Sequence, residues 1–347
     1  MKIKNKFSNK VKYTSFIMSV FVMYIHAINV SYYNFDTNTI TVLHRVIRLL
    51  ADTLGKLAVP YFFVMSAYWL FRTAEEPSGK KNCIQKKLVK KVKTLLVPYL
   101  CWNTIGMVFY MAITRIPFIS SMMNNQEVIE ITVESILKGV FLHANYYSFW
   151  YMSDLIVLTA ISPFVLQIFQ NKKASIAMIF VLFLLAYADV DFIVFKAESL
   201  FYFSLGGYIS LYLNDFWSKE SKKKTLYLVV FILFALMRYF DTPVVGRIAY
   251  IILPILMWKA IDVILPEKLL ERNPSWFVTQ TFFIYAAHLI PITCLGHLLS
   301  SVSGSVLWAT LSYFVAPLIT LIFLFIVSMC MHRFTPKIYS ILCGSRN

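Results

Sequence analysis

The feature that most constrains this chain is a succession of apolar runs, each nearly long enough to cross hydrocarbon, joined by short polar stretches. Candidate spans fall at Val11–Val30, Leu54–Phe71, Thr94–Thr114, Tyr147–Phe169, Ala174–Tyr187, Ala197–Leu213, Thr225–Phe240, Val244–Leu265, Trp276–Leu299 and Val306–Met331. A helix of about 20 apolar residues crosses about 30 Å of hydrocarbon. Backbone in lipid must satisfy its own hydrogen bonds, so such runs must be helical. The expected fold is all-α: a polytopic membrane protein of about ten transmembrane helices. One transmembrane domain over residues 1–347 is expected, because no loop is long enough to bury a core of its own.

Composition agrees. The chain is 59% hydrophobic and 14% charged, where soluble domains carry about 25% charged residues. Its net charge of +16 would suggest nucleic acid in a soluble protein. Here the basic residues sit between apolar runs, so they read as a topology signal and no nucleic-acid partner is expected. Most of the 33 basic residues fall in alternate connections, including Lys2–Lys12, Arg72–Lys93, Lys172–Lys173, Lys219–Lys224 and Lys259–Arg272. The opposite set is Arg45, Arg48, Lys56, Arg115, Lys138, Lys196, Arg238 and Arg247. That alternation places both termini in the cytoplasm. The basic start followed by an apolar run is expected to be a retained first helix, since no small-residue cleavage site follows.

Two connections have helical character. Lys86, Lys87, Lys90 and Lys91 share one face, as in a basic amphipathic helix on the inner surface. It would either bind anionic lipid as a topology determinant or attract a nucleotide-like donor. Ile129, Val133, Ile136, Leu137, Val140 and Phe141 have the spacing of an interfacial helix on the outer side. The five cysteines are scattered without metal or redox spacing, so no metal site is expected. Gly206 and Gly207 lie inside a span, where small residues allow close helix packing.

Ionisable residues inside apolar runs are costly and so are candidates for function. At about 1.5 Å per residue, His26, Asp154, Arg238 and Glu198 all fall in the outer half of their spans, and His288 falls near the middle of its own. Arg45, Arg48, Asp52 and Lys56 lead into the second span from outside. Charges of both signs at one depth can pair, or can line a polar cavity open to the outside; such a cavity is expected. His26 fits either a proton-transferring residue or an interface residue.

Several stretches resemble the acyltransferase-3 family of bacterial membrane acyltransferases. They are Lys12–Asn29 with its single His26, Ala58–Tyr68 (AVPYFFVMSAY), Lys87–Asn103 with KTLLVPY and Trp102-Asn103, Phe149–Leu155 with Ser162-Pro163, Glu198–Tyr208, and Thr281–His288 (TFFIYAAH). They run in family order over nearly the whole chain. The resemblance implies transfer of an acyl group, usually acetyl, from acyl-CoA to a hydroxyl of a cell-envelope polysaccharide or its precursor. It also implies a multi-pass protein of the bacterial cytoplasmic membrane. His26 would match the family's essential histidine, with Asp154 as a second catalytic candidate. Arg45, Arg48, Lys56, Glu198, Arg238, His288 and Trp150 are the candidates for binding substrate or the oxyanion. The sequence departs from the family at Ser15 and Ser153, where arginine is common, and at Ala67, where glycine is usual. Lys12, one turn from Ser15, is a candidate to replace the first arginine. A polar cavity among helices also suits a transporter or flippase of a glycan intermediate, and an inactive relative or a structural subunit stays open.

Overall fold

The computed structural model describes residues 2–27, 41–72, 81–113, 115, 132–134, 147–240 and 244–344. Apart from one isolated bridge between Asp191 and Lys196, the described secondary structure is helical. Each candidate span has a counterpart among the helices α1 (Lys2–His26), α2 (Thr41–Ile47), α3 (Ala58–Arg72), α4 (Lys81–Ile113), α5 (Trp150–Ile168), α6 (Lys172–Tyr187), α7 (Ala197–Tyr212), α8 (Asn214–Ser218), α9 (Lys224–Tyr239), α10 (Val245–Ile264), α11 (Glu267–Glu271), α12 (Trp276–Thr279), α13 (Thr281–Ala287), α14 (Leu289–Val302), α15 (Val306–Phe334) and α16 (Pro336–Leu342).

Four stretches among the described residues are long and apolar enough to cross a membrane: Val42–Arg72, Leu88–Ala112, Trp150–Ile168 and Val306–Phe334. The bent pair α13–α14 makes a fifth if it is one span. The chain is thus an all-helical, multi-pass membrane protein. Apolar side chains are uncovered on α15, where Leu311, Leu318, Ile322 and Ile326 face outward, and on α9, which buries none of its residues. In water such continuous apolar faces would not persist uncovered.

Helix ends follow local chemistry. Asn171 caps α6, its side chain accepting from the Lys173 and Ala174 amides. Ser305 caps α15 through the Trp308 amide. Asp189 takes a left-handed conformation, φ 58°, in the turn after α6, a conformation aspartate tolerates better than most residues. Proline lies inside α4, α5, α10 and α15, as membrane helices allow.

Three elements differ from the sequence reading. The stretch before α3 is not a loop: a π-helical turn, Arg48–Leu54, and a 3-10 turn, Gly55–Leu57, join α2 to α3 as one helical rod. The basic run and the third span are likewise a single 33-residue helix, α4, rather than a separate surface helix. The ninth candidate span is not one straight helix: α13 and α14 are bent by 52°, as a broken span or a re-entrant loop would be. Pro291 explains the break, because it has no amide proton for the Ala287 carbonyl and its ring crowds that oxygen. The expected interfacial helix at 129–141 lies outside the described residues except 132–134.

The chain divides into two compact units: Met1–Ile25, Thr41–Leu88 and Val157–Thr281 in one, His26–Ile40, Val89–Ile156 and Phe282–Asn347 in the other. In the first unit, α3 packs along α7 and α9 along α10. A Cβ on Gly206 would collide with the Val64 carbonyl, so the α3–α7 approach depends on that glycine. In the second unit, α14 packs on α15, and Trp102 donates to the Leu342 carbonyl at 3.1 Å.

Candidate active site

The bend at Pro291 sets His288 at the junction of α13 and α14, fully buried. Its Nδ1 lies 2.7 Å from the Tyr285 carbonyl. Against it stands His26, the half-buried last residue of α1, with ring centroids 5.3 Å apart and planes tilted by 40°. Tyr285 anchors the other side of His288, with ring centroids 6.3 Å apart. It donates to the Ser148 carbonyl at 2.7 Å and stacks on Phe149 at 5.7 Å. Tyr151 meets the Tyr285 ring edge-on at 5.8 Å. Asp154, one turn further along α5 than Tyr151, is buried, whereas Trp150 at the helix start is 37% exposed. The second unit therefore gathers His26 and His288 in contact, with Asp154 and Trp150 on the helix that carries Tyr151.

The first unit holds a polar cavity of about 400 Å³ lined by Lys56, Asp189, Glu198, Arg238, Arg247 and Tyr250. It is built from helix ends. Glu198 lies in the first turn of α7, where the helix dipole favours an anion. Arg238 lies in the last turn of α9, where it favours a cation. Tyr250 links the two, donating to Glu198 Oε1 at 2.8 Å while the Arg238 guanidinium sits 5.3 Å from its ring. Arg247 pairs with Asp189 at 3.1 Å, and Lys56 pairs with Asp52 at 2.7 Å. Among the described residues lining this cavity neither Arg45 nor Arg48 appears; both are exposed on the rod before α3.

Sequence reasoning selected Glu198 and Arg238 by depth and Lys56 as part of the lead-in to the second span, and passed over Tyr250, Asp189 and Arg247. Depth singles out charges, and a tyrosine among 21 carries no such mark. Tyr285 and Tyr151 were missed for the same reason, although Tyr285 lies within the stretch that ends at His288.

The cation on α1 is also placed differently. Ser15 bonds to the Tyr61 hydroxyl at 3.1 Å, and Lys12 is exposed. The buried cation is Lys10. It pairs with Asp262 at 2.6 Å, donates to the Trp258 carbonyl at 2.7 Å and lies 3.9 Å from that ring's centroid. Ser153 is half-buried and Ala67 buried. Among the described residues no group of three or more His, Cys, Asp or Glu side chains could hold a metal ion.

Long helices with lipid-facing apolar surfaces, and ionisable groups gathered where their ends and breaks meet, define an integral membrane protein equipped for polar chemistry. The model of an acyltransferase domain, Acyl_transf_3, matches residues 16–333, and the chain belongs to that acyltransferase-3 family. It is therefore a membrane enzyme that transfers acyl groups, and an acyl donor is one of its substrates. No curated protein and no solved structure matches the chain.

Proposed function

We propose that the protein moves an acyl group, acetyl in the simplest case, from cytoplasmic acyl-CoA to a hydroxyl of a cell-envelope polysaccharide or its lipid-linked precursor. In this reading the whole chain acts as one transmembrane domain of ten spans in the bacterial cytoplasmic membrane, with both termini inside and no separate soluble domain. His26 is the general base. It takes the acceptor hydroxyl proton as that oxygen attacks the thioester carbonyl carbon. The new C–O bond gives a tetrahedral oxyanion. When the intermediate collapses, the C–S bond breaks and the thiolate takes the proton back from His26, so ester and thiol leave and the enzyme is unchanged.

Asp154 is the second catalytic candidate, as a group that bears on the protonation of the histidine site. Trp150, more exposed at the start of α5, is a candidate surface for a sugar face. Lys56, Glu198 and Arg238 supply both donors and acceptors around one cavity of the first unit, which suits a hydroxyl-rich acceptor. Arg45 and Arg48 remain candidates for drawing in an anionic substrate. The observation that carries the reading is His26 itself: an imidazole at the end of α1, held against a second, buried imidazole.

Membranes containing wild type or His26→Ala, given radiolabelled acetyl-CoA, test it. Acetylated product should fall at least 100-fold in the variant, the scale of a lost general base. Equal transfer by both removes His26 from the mechanism. Movement of a labelled glycan intermediate across the membrane without acylated product would favour a flippase instead.

A further inference from the structure

His288 has an acceptor that the fold leaves unused. A carbonyl only accepts, so the 2.7 Å contact with the Tyr285 oxygen puts the proton on Nδ1 and leaves Nε2 with a bare lone pair. That Nε2 is buried and has no hydrogen-bond partner among the described residues. An unsatisfied buried polar atom is costly, and an apolar side chain in its place would avoid that cost. The ring set against it is His26. At a centroid separation of 5.3 Å, rings that turn a nitrogen toward each other bring those nitrogens to about 3 Å, within hydrogen-bond range. Catalytic hydrogen bonds are commonly open in the resting enzyme and close when substrate binds.

We propose that His288 is a positioning residue for the base: its Nε2 accepts the N–H of His26 that faces away from the acceptor hydroxyl, fixing the tautomer and ring orientation in which the other His26 nitrogen takes a proton. The proposal rests on the reading of His26 as base. A neutral imidazole suits this task at a buried position. It orients the base without adding a buried anion, and it shares the charge that His26 gains during attack. The scaffold holds it firmly. The Pro291 bend places His288, the Tyr285 carbonyl sets its tautomer, and the bond from Tyr285 to Ser148 and the stack on Phe149 fix Tyr285 in turn.

The test compares His288→Phe, which keeps a flat ring but removes the acceptor, with His288→Gln, which keeps one. His26→Ala runs alongside, all with radiolabelled acetyl-CoA as donor and host-cell membranes as acceptor. Activity is normalised to the folded fraction recovered in detergent, and His288→Met replaces the Phe variant should that one fail to accumulate. The expected result is a fall of about 100-fold in kcat for the apolar variant, with KM for acetyl-CoA unchanged and the Gln variant within about tenfold of wild type. Wild-type kcat in the apolar variant overturns the proposal. So does an equal loss in both variants with normal melting, which would make His288 a packing residue. If His26→Ala retains transfer, the base assignment fails first and this proposal falls with it.

Discussion

Lys10 illustrates how a single charge can be both costly and indispensable. The side chain and its partner Asp262 are both nearly inaccessible to solvent. Asp262 Oδ2 has no hydrogen-bond partner among the described residues, so its other oxygen depends on Lys10. Removing one member of a buried pair strands the other charge and costs about 3–5 kcal/mol, whereas replacing both by apolar groups is often neutral. Lys10→Met should therefore lower the melting temperature of the detergent-solubilised protein clearly, and Lys10→Met with Asp262→Leu should recover most of the loss. If the double variant melts no higher than the single one, the pair is not the source of the stability. By contrast, Lys6 pairs with Glu267 and Glu271 at an exposed site. Its hydrogen bond holds the Glu267 carboxyl below the usual range. That contribution is present above the ordinary carboxylate pKa and fades as pH falls through the lowered one, and solvent screening keeps it small. In the sequence Lys6 and Lys10 look alike, two members of one basic run. Burial separates them, and burial depends on what α10 brings alongside α1.

At the scale of elements, Gly206 and Gly207 make opposite predictions from adjacent positions. A Cβ on Gly206 meets the backbone of Val64, which cannot yield without separating α3 from α7. A Cβ on Gly207 meets ring atoms of Phe169 and Phe71 at 3.2 Å, which can tilt away. Gly206→Ala should cost about 1–3 kcal/mol or more by overpacking, and Gly207→Ala distinctly less. The order of melting temperatures checks this, and the reverse order would mean that the two helices do not approach as described. The apolar period and small-residue pair made this contact legible from sequence. The bend at His288 was not, because hydropathy is the same for a straight span and a broken one. Pro291 was a local signal, but Pro98, Pro163, Pro254 and Pro317 sit inside unbroken helices, so a proline alone does not announce a break. The rod before α3 was hidden for the opposite reason. Arg45, Arg48, Asp52 and Lys56 read as a polar lead-in, yet the spacing that makes Asp52 and Lys56 an i,i+4 pair is itself helical.

At the scale of the molecule, contacts inside the first unit bear on the direction in which helices cross. Lys6 reaches Glu267 and Glu271, Asn9 bonds to the Leu270 and Arg272 carbonyls, and Lys10 reaches Asp262. The start of α1 and the end of α10 therefore lie at one level. Tyr68 near the end of α3 bonds to Asn214 just after α7, and Trp258 stacks on Trp217 at 5.0 Å, which adds both of those ends to the same level. The starts of α7 and α10 meet the end of α9 around Glu198, Tyr250 and Arg238. Tyr250 and Asp262 mark those levels about 18 Å apart along α10, whose full 20 residues span about 30 Å, the thickness of the hydrocarbon. The Lys10 level also carries Arg72, Lys219, Lys259 and Lys268, the richer set of cations, so under the positive-inside rule the proposed orientation has it facing the cytoplasm. In a variant lacking the five native cysteines, Lys196→Cys should react with a membrane-impermeant thiol reagent in intact cells. Lys268→Cys should react only after permeabilisation. The opposite pattern would invert the protein and put the Lys56, Glu198 and Arg238 cavity on the cytoplasmic side. A finished envelope polysaccharide could not enter the cavity from that side, whereas acyl-CoA or a lipid-linked precursor could, so this labelling pattern narrows which substrate the cavity can receive.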